Sequence, residues 1–205
     1  MEKSIPEIIV GRLPVYLQAL EHRQAQGVQT ISSQELGEMI GISAAQIRKD
    51  LSQFGEFGKQ GKGYAIPYLV TELRSILNVD KIRDMALVGA GNLGRAIADY
   101  QGFNQHGFHI ALIFDNDPQV VSTKIGESEV CNSIEMVERI QQRGIQIAML
   151  TVPAQAAQSV TDDLVRAGIK AILNYAPITL TVPPGIHVQY VDPIIFLQRM
   201  TYFLK

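Results

Sequence analysis

Tryptophan is missing from this 205-residue chain, and cysteine occurs once, at Cys131. A lone thiol closes no intramolecular disulfide, so the fold must stand on packing alone, as suits a reducing compartment. No apolar run reaches the ~18 residues that a membrane-spanning helix needs, so no membrane partner is expected. The opening "MEKSIPEIIVGRLPVYL" has no apolar stretch closed by a small-residue cleavage site, and a cytoplasmic protein is the expectation. An excess of positive charge is lacking too: 18 Lys and Arg stand against 20 Asp and Glu, a net −2. That weighs against a uniformly basic nucleic-acid binder, yet phosphate contacts need only local charge. Between Arg48 and Lys62 four cations, Arg48, Lys49, Lys59 and Lys62, face two anions, Asp50 and Glu56.

What is present divides into two expected domains, 1–80 and 81–205, joined by the polar "NVDKIRD" at 78–84. In the first, a helix is expected near Ser4-Ile5-Pro6, with Leu13, Tyr16, Leu17 and Leu20 as its apolar face. Pro14 removes a donor inside that pattern and demands a kink or a restart. Ser32 with Glu35 spells a capping box, Gly41 a stop, and Ser43 with Gln46 repeats the spacing. Two short helices around a glycine turn make a helix-turn-helix. On the second, Ile47 and Leu51 pack inward. Ser43, Gln46, Arg48, Lys49 and Ser52 are left as candidates to contact DNA. "GKQGKGYAI" suits a hairpin, with glycines free to take positive φ, and Pro67 opens a closing helix. The sum is a winged helix, whose recognition helix reads base edges while wing cations such as Lys59 and Lys62 meet phosphates. A helical dimerisation domain with solvated charges is the competing reading.

From residue 81 short apolar runs alternate with helical patterns, the mark of a parallel sheet with crossover helices. "ALVGAGNLGRAIA" places Gly89, Gly91 and Gly94 as G-x-G-x-x-G between a strand and a helix. Its residues Gly89, Ala90, Gly91, Asn92, Leu93 and Gly94 would cradle a pyrophosphate with backbone N–H groups. "HIALIFD" then ends at Asp115, a carboxylate placed to accept a ribose 2′-hydroxyl and repel a 2′-phosphate, which favours NAD over NADP. Later strands ending near Thr151, Val152, Pro153 and Asn174, Tyr175, Ala176 would line the rest of the cleft.

No acid–base machinery accompanies the cleft. Tyr175 has Thr179 four residues on, where a Tyr-x-x-x-Lys pair would need lysine. His22, His106, His109 and His187 stand away from the strand ends where such folds do chemistry. The acidic "GESEV" before Cys131 would raise its thiol pKa. No metal-ligand spacing occurs. The chain is therefore expected to bind a nicotinamide cofactor without reacting it. "DPIIFLQRMTYFLK" closes the sequence with Asp192 as N-cap and apolar residues almost all round, which calls for a partner subunit. A homodimer, with C-terminal helices exchanged, would supply the symmetry of a palindromic DNA site.

In this order the segments closely resemble the Rex family of bacterial redox-sensing transcriptional repressors, over essentially the whole chain. The resemblance is carried by "RLPVYL" (12–17), "QIRKDLSQFGEFGKQGKGY" (46–64), "GAGNLGRAIADYQGF" (89–103), "FDNDP" (114–118), "NYAP" (174–177) and the terminal helix. It implies a homodimer that holds double-stranded operator DNA when NADH is scarce and releases it as NADH rises, NAD+ competing for the site. By this likeness Arg48 and Lys49 serve the recognition helix, and Lys59, Lys62 and Tyr64 lie in or beside the wing. Tyr100 lies near the nicotinamide, and Asp192 pairs with Arg12 or Tyr100 according to cofactor state. Gln18, Gln53, Tyr175 and Pro193 depart from residues usual in relatives. An NAD-dependent oxidoreductase with an N-terminal dimerisation domain is the alternative, and a regulator answering a sugar nucleotide a third.

Overall fold

The computed structural model describes residues 5–59 and 63–204; Ser4, the side chain of Lys59 and the wing residue Lys62 lie outside the described residues. The chain divides into two compact units, residues 1–81 and 82–205.

In the first unit, helix α1 (Glu7–Val10) stops at Gly11 and α2 (Leu13–Ala25) starts anew. Pro14 sits in the first turn of α2, where its missing N–H has no intrahelical partner to lose, so the chain restarts and does not kink. Helix α3 (Ser33–Ile40) carries the full capping box. Ser32 Oγ accepts from Glu35 N–H at 3.1 Å, and the Glu35 carboxylate accepts from Ser32 N–H at 2.7 Å. Gly41 ends it at φ 72°. Helix α4 (Ala44–Leu51) has half of that device: Ser43 Oγ accepts from Gln46 N–H, while the Gln46 amide turns elsewhere. Helix α5 (Ile66–Ile76) closes the unit. Strands β1 (Thr30–Ile31), β2 (Gly58–Lys59) and β3 (Gly63–Ala65) form an antiparallel sheet in the order β1-β3-β2. Leu13, Tyr16, Leu20, Leu36, Ile47 and Leu73 are fully buried between these layers. The architecture is a winged helix.

The second unit is one seven-stranded sheet: β4 (Arg83–Val88), β5 (Phe108–Asp115), β6 (Lys124–Ile125), β7 (Ser128–Asn132), β8 (Ile147–Leu150), β9 (Ala171–Asn174) and β10 (His187–Tyr190). Their order is β10-β9-β8-β4-β5-β7-β6, with β6 alone antiparallel to its neighbour. Setting β6 aside, the spatial order is 3-2-1-4-5-6, that of a dinucleotide-binding fold. Along β4, Met85 and Leu87 join one apolar layer while Ala86 and Val88 join the other, because a central parallel strand is covered on both faces. Helices α6 (Asn92–Ala98) and α7 (Gly102–Gln105) follow β4, α8 (Met136–Arg143) and α9 (Ala154–Ala167) make later crossovers, and α10 (Pro193–Thr201) comes last. Residues 128–132, read only as an acidic neighbourhood of Cys131, are in fact a strand. Val130 is the one strongly apolar side chain there, too little for a recognisable pattern.

Helix α10 is capped as its sequence requires, Asp192 Oδ1 accepting from Ile194 N–H at 2.9 Å. None of its described side chains is buried within the chain. Ile194, Ile195, Phe196, Leu197 and Met200, with Tyr202, Phe203 and Leu204 beyond them, are 54–81% exposed.

Candidate nucleotide cleft and DNA reader

At the C-terminal end of β4 the glycine loop takes the shape that its spacing demands. Gly89 adopts φ +98°, a conformation that disfavours any side chain, and a Cβ there would meet the Thr151 carbonyl at 2.7 Å. Gly94 packs α6 onto the strand so tightly that a Cβ would lie 1.9 Å from the Gly89 carbonyl oxygen. Gly91, the N-cap of α6, faces open space at ordinary dihedrals. The three glycines thus do three different things: one turns, one leaves room, one lets helix meet strand. Ala90 is buried beneath the loop, while Asn92 and Leu93 are exposed at the first turn of α6.

Asp115, at the tip of β5, reaches back to this loop. Its Oδ2 accepts from Ala90 N–H at 2.6 Å, and its Oδ1 accepts from Asp117 N–H at 2.9 Å. Thr151 follows β8, the strand beside β4 where the order reverses. Its hydroxyl is shared between the carbonyl oxygens of Val88 and Gly89, at 3.0 and 2.8 Å, fastening the two loops together. Val152 and Pro153 lead from it into α9, with Pro153 at the N-cap position and no side-chain bond to the helix. Asn174 differs from a lining side chain: it is buried, its amide donates to the carbonyls of Ala176 and Ile178, and its Oδ1 accepts from Ala176 N–H. It shapes the 174–178 turn. Tyr175 is half-buried, and that burial raises its pKa. Tyr100 is exposed and stacks edge-on against Phe103, ring centroids 5.2 Å apart. The cradle of glycines, the loop amides and a carboxylate at the second strand fit a dinucleotide.

In the first unit, Arg48 and Lys49 are exposed on α4. The Arg48 guanidinium donates to Ser33 Oγ at 2.8 Å, a residue at the start of α3 that the sequence reading passed over. The Ser52 hydroxyl donates to the Lys49 carbonyl. Tyr64 lies in β3 across Gly58 of the facing strand, and burial raises its pKa against a lowering pull from Arg48. Gln46, expected on the open face, is turned aside: its amide donates to Asp50 Oδ1 at 2.6 Å.

Asp50 and Tyr16 are the pair that sequence reasoning missed, one counted only as an anion and the other only as an apolar residue. Asp50 is fully buried on α4. Its carboxylate accepts from Arg12 Nε at 2.6 Å, Arg12 Nη2 at 2.8 Å, the Tyr16 hydroxyl at 2.6 Å and Gln46. Burial by itself would push its pKa up; the hydrogen bonds and the Arg12 charge more than offset that and hold it low. Arg12 is stabilised in its charged form by the same bond, and Tyr16 is pushed up to about 12 by burial and by Asp50. Arg12, one of the two partners that the family likeness gives Asp192 according to cofactor state, has Asp50 as a partner within its own unit.

Cys131 stands in strand β7, half-buried, with Arg139 Nη1 3.3 Å from its sulfur. Its pKa is raised, first by burial and only secondarily by Glu135 and Glu129, while Arg139 lowers it. Among the described residues no helix is long and apolar enough to cross a membrane, and no group of three His, Cys, Asp or Glu side chains is placed to hold a metal.

Two family models match the chain: one described as a CoA binding domain over residues 80–178, and one described as "Putative DNA-binding protein N-terminus" over residues 4–52. Among curated proteins, the redox-sensing transcriptional repressor Rex of Roseiflexus sp. (strain RS-1) is 49% identical over 200 residues, covering 97% of this chain and 90% of that protein. The Rex of Chloroflexus aurantiacus is 48% identical over 206 residues, covering 100% and 97%. Among solved structures, RSP in complex with β-NAD+ and operator DNA matches with a TM-score of 0.92 at 40% identity, over 98% of this chain and 93% of that one. RSP in complex with β-NADH matches with 0.90 at 39%, over 98% and 95%.

Proposed function

The chain belongs to the Rex family of redox-sensing transcriptional repressors, and from that premise we propose how its two units carry out the work. It is a regulator and not an enzyme; the oxidoreductase reading is not favoured. As a homodimer in the cytoplasm it holds a palindromic operator when NADH is scarce and releases it when NADH fills the cleft. NAD+ enters the same cleft without driving release.

One observation carries this reading: a glycine cradle answered by Asp115 and a recognition helix flanked by a wing stand in one chain. Gly89, Ala90, Gly91, Asn92, Leu93 and Gly94 hold the pyrophosphate. Asp115 accepts the ribose hydroxyls on the lone pairs that its bonds to Ala90 and Asp117 leave open. Thr151, Val152 and Pro153, the Tyr175–Ala176 backbone and Tyr100 surround the nicotinamide end, with Asn174 shaping the turn beneath. When bound, the reduced ring presents no positive charge, and an apolar surround favours it because burying an unpaired cation is costly. Ser43, Arg48, Lys49 and Ser52 serve the operator from α4, and Lys59, Lys62 and Tyr64 from the wing, while the Gln46 amide stays on Asp50. The uncovered apolar helix α10 supports the dimer, each chain's helix finding its missing wall on the other.

Preference for NADH moves nothing unless NADH binds the DNA-released dimer more tightly than the DNA-holding one. A near-complete switch needs about 5.5 kcal/mol of such difference, under about 3 for each of two sites. A gel shift with a palindromic operator tests this: NADH should lower operator affinity far more than NAD+ does. Equal effects of the two would refute the sensing role.

A further inference from the structure

Strands β9 and β10 pair in parallel, an arrangement usually bridged by a helix, yet the described residues 175–186 between them form neither helix nor strand. A crossover without a helix has no internal ladder for its amides, so other groups must satisfy them. Side chains from three elements do so. Asn174, ending β9, takes the Ala176 N–H on its Oδ1 at 2.9 Å. Tyr190, ending β10, takes the Leu180 N–H on its hydroxyl at 3.0 Å. Gln158, one turn into α9, takes the Thr181 N–H on its Oε1 and donates from its amide to the Thr181 carbonyl, both at 2.9 Å. The same amide donates to Asp162 Oδ1 at 2.8 Å, so the oxygen and the nitrogen of Gln158 are all engaged. Leu180, between these attachments, is buried in the core. Helix α9 begins directly after Thr151, Val152 and Pro153, and the braced segment begins directly after β9 with Tyr175 and Ala176. Gln158 therefore fastens one strand-end segment to the helix that continues the other.

We propose that Gln158, with Tyr190 beside it, is a positioning residue for the nicotinamide end of the cleft, holding residues 175–181 against α9 before the cofactor arrives. The proposal rests on the reading above, in which Thr151–Pro153 and Tyr175–Ala176 surround that end. Walls already in place spare the cofactor the cost of ordering them, and the gain reaches only the half of the cofactor that those walls touch. Asp115 lies at the tip of β5, on the far side of β4 from β8 and β9, so the adenosine half is held without this brace.

The test titrates the full-length chain carrying Gln158→Ala with two probes by calorimetry: NADH, and ADP, which has the adenosine and two phosphates but no nicotinamide. NADH affinity is expected to fall about fivefold while the ADP dissociation constant stays within about twofold of wild type. A chain loosened throughout would lose both ligands alike; that result, or unchanged NADH affinity, overturns the proposal. Should Gln158→Ala fail to fold, Tyr190→Phe strips the Leu180 N–H of its acceptor and keeps the ring. It should weaken NADH about threefold and leave ADP as it was, and wild-type NADH affinity there overturns the proposal equally. The wild-type titrations separate the two levels. If wild type binds NADH no more tightly than ADP, the reading of a nicotinamide end at these strand tips fails. If wild type prefers NADH and both variants keep that preference in full, only the role of Gln158 and Tyr190 fails.

Discussion

The glycine loop offers a perturbation whose size can be worked from geometry. In Gly94→Ala the new methyl would sit 1.9 Å from the Gly89 carbonyl oxygen and 3.1 Å from Thr151 Oγ1. Ordinary contact begins near 3.4 Å, so helix α6 and the loop must part by about 1.5 Å. The Gly89 carbonyl cannot yield freely, because the Thr151 hydroxyl and the β4 backbone hold it. Overpacking of this kind costs about 1–3 kcal/mol. On the proposed placement of the pyrophosphate, displacing the loop N–H groups converts that cost into roughly 5- to 150-fold weaker NADH binding. Gly91→Ala is the companion: its methyl meets nothing within 4 Å and its dihedrals suit any residue. Its melting temperature should match wild type, yet its NADH affinity should fall, because the methyl would occupy the open space to which the proposal assigns the pyrophosphate. NADH fluorescence titration and thermal melts of both variants decide the matter. Gly94→Ala with wild-type affinity and melting temperature would refute the packing argument. Gly91→Ala with wild-type affinity would refute the placement of the pyrophosphate.

Two further outcomes are expected. Replacing Phe196 and Leu197 together by Asp should convert the dimer to monomers in sedimentation and abolish tight operator binding; a variant that stays dimeric denies α10 its role. Tyr16 titrates near 12 in the folded chain against about 10 when unfolded. Its contribution to stability is therefore whole below about pH 10 and lost as pH rises toward 12. Tyr16→Phe should remove this part of the alkaline loss in melts between those pH values, and an unaltered alkaline limb would contradict the buried hydrogen bond.

The strongest local signals were the legible ones. Ser32 and Glu35 make their box because both partners lie within four residues, and Gly89 and Gly94 take their places because backbone sterics alone require glycine there, while Gly91 completes the spacing without such a constraint. Strands β1 and β7 escaped notice because two residues, or one strong apolar residue in five, carry no period; it is their pairing with β3 and β5 that makes them strands. Asp50 was invisible for a different reason. Its partners Arg12 and Tyr16 are 38 and 34 residues away, and nothing local distinguishes a buried carboxylate from a solvated one in a basic stretch. Asn174 was placed at the right strand end, but whether its amide would face a ligand or its own turn depended on carbonyls at Ala176 and Ile178.

Cys131 gives the second unit a particular character. Sulfur must be ionised to attack peroxide or a disulfide quickly, and burial in β7 raises this thiol's pKa and so disfavours the thiolate. The chain takes its reading of cellular reducing power from a reversible equilibrium, so the message is erased by dissociation and needs no repair enzyme to reset it.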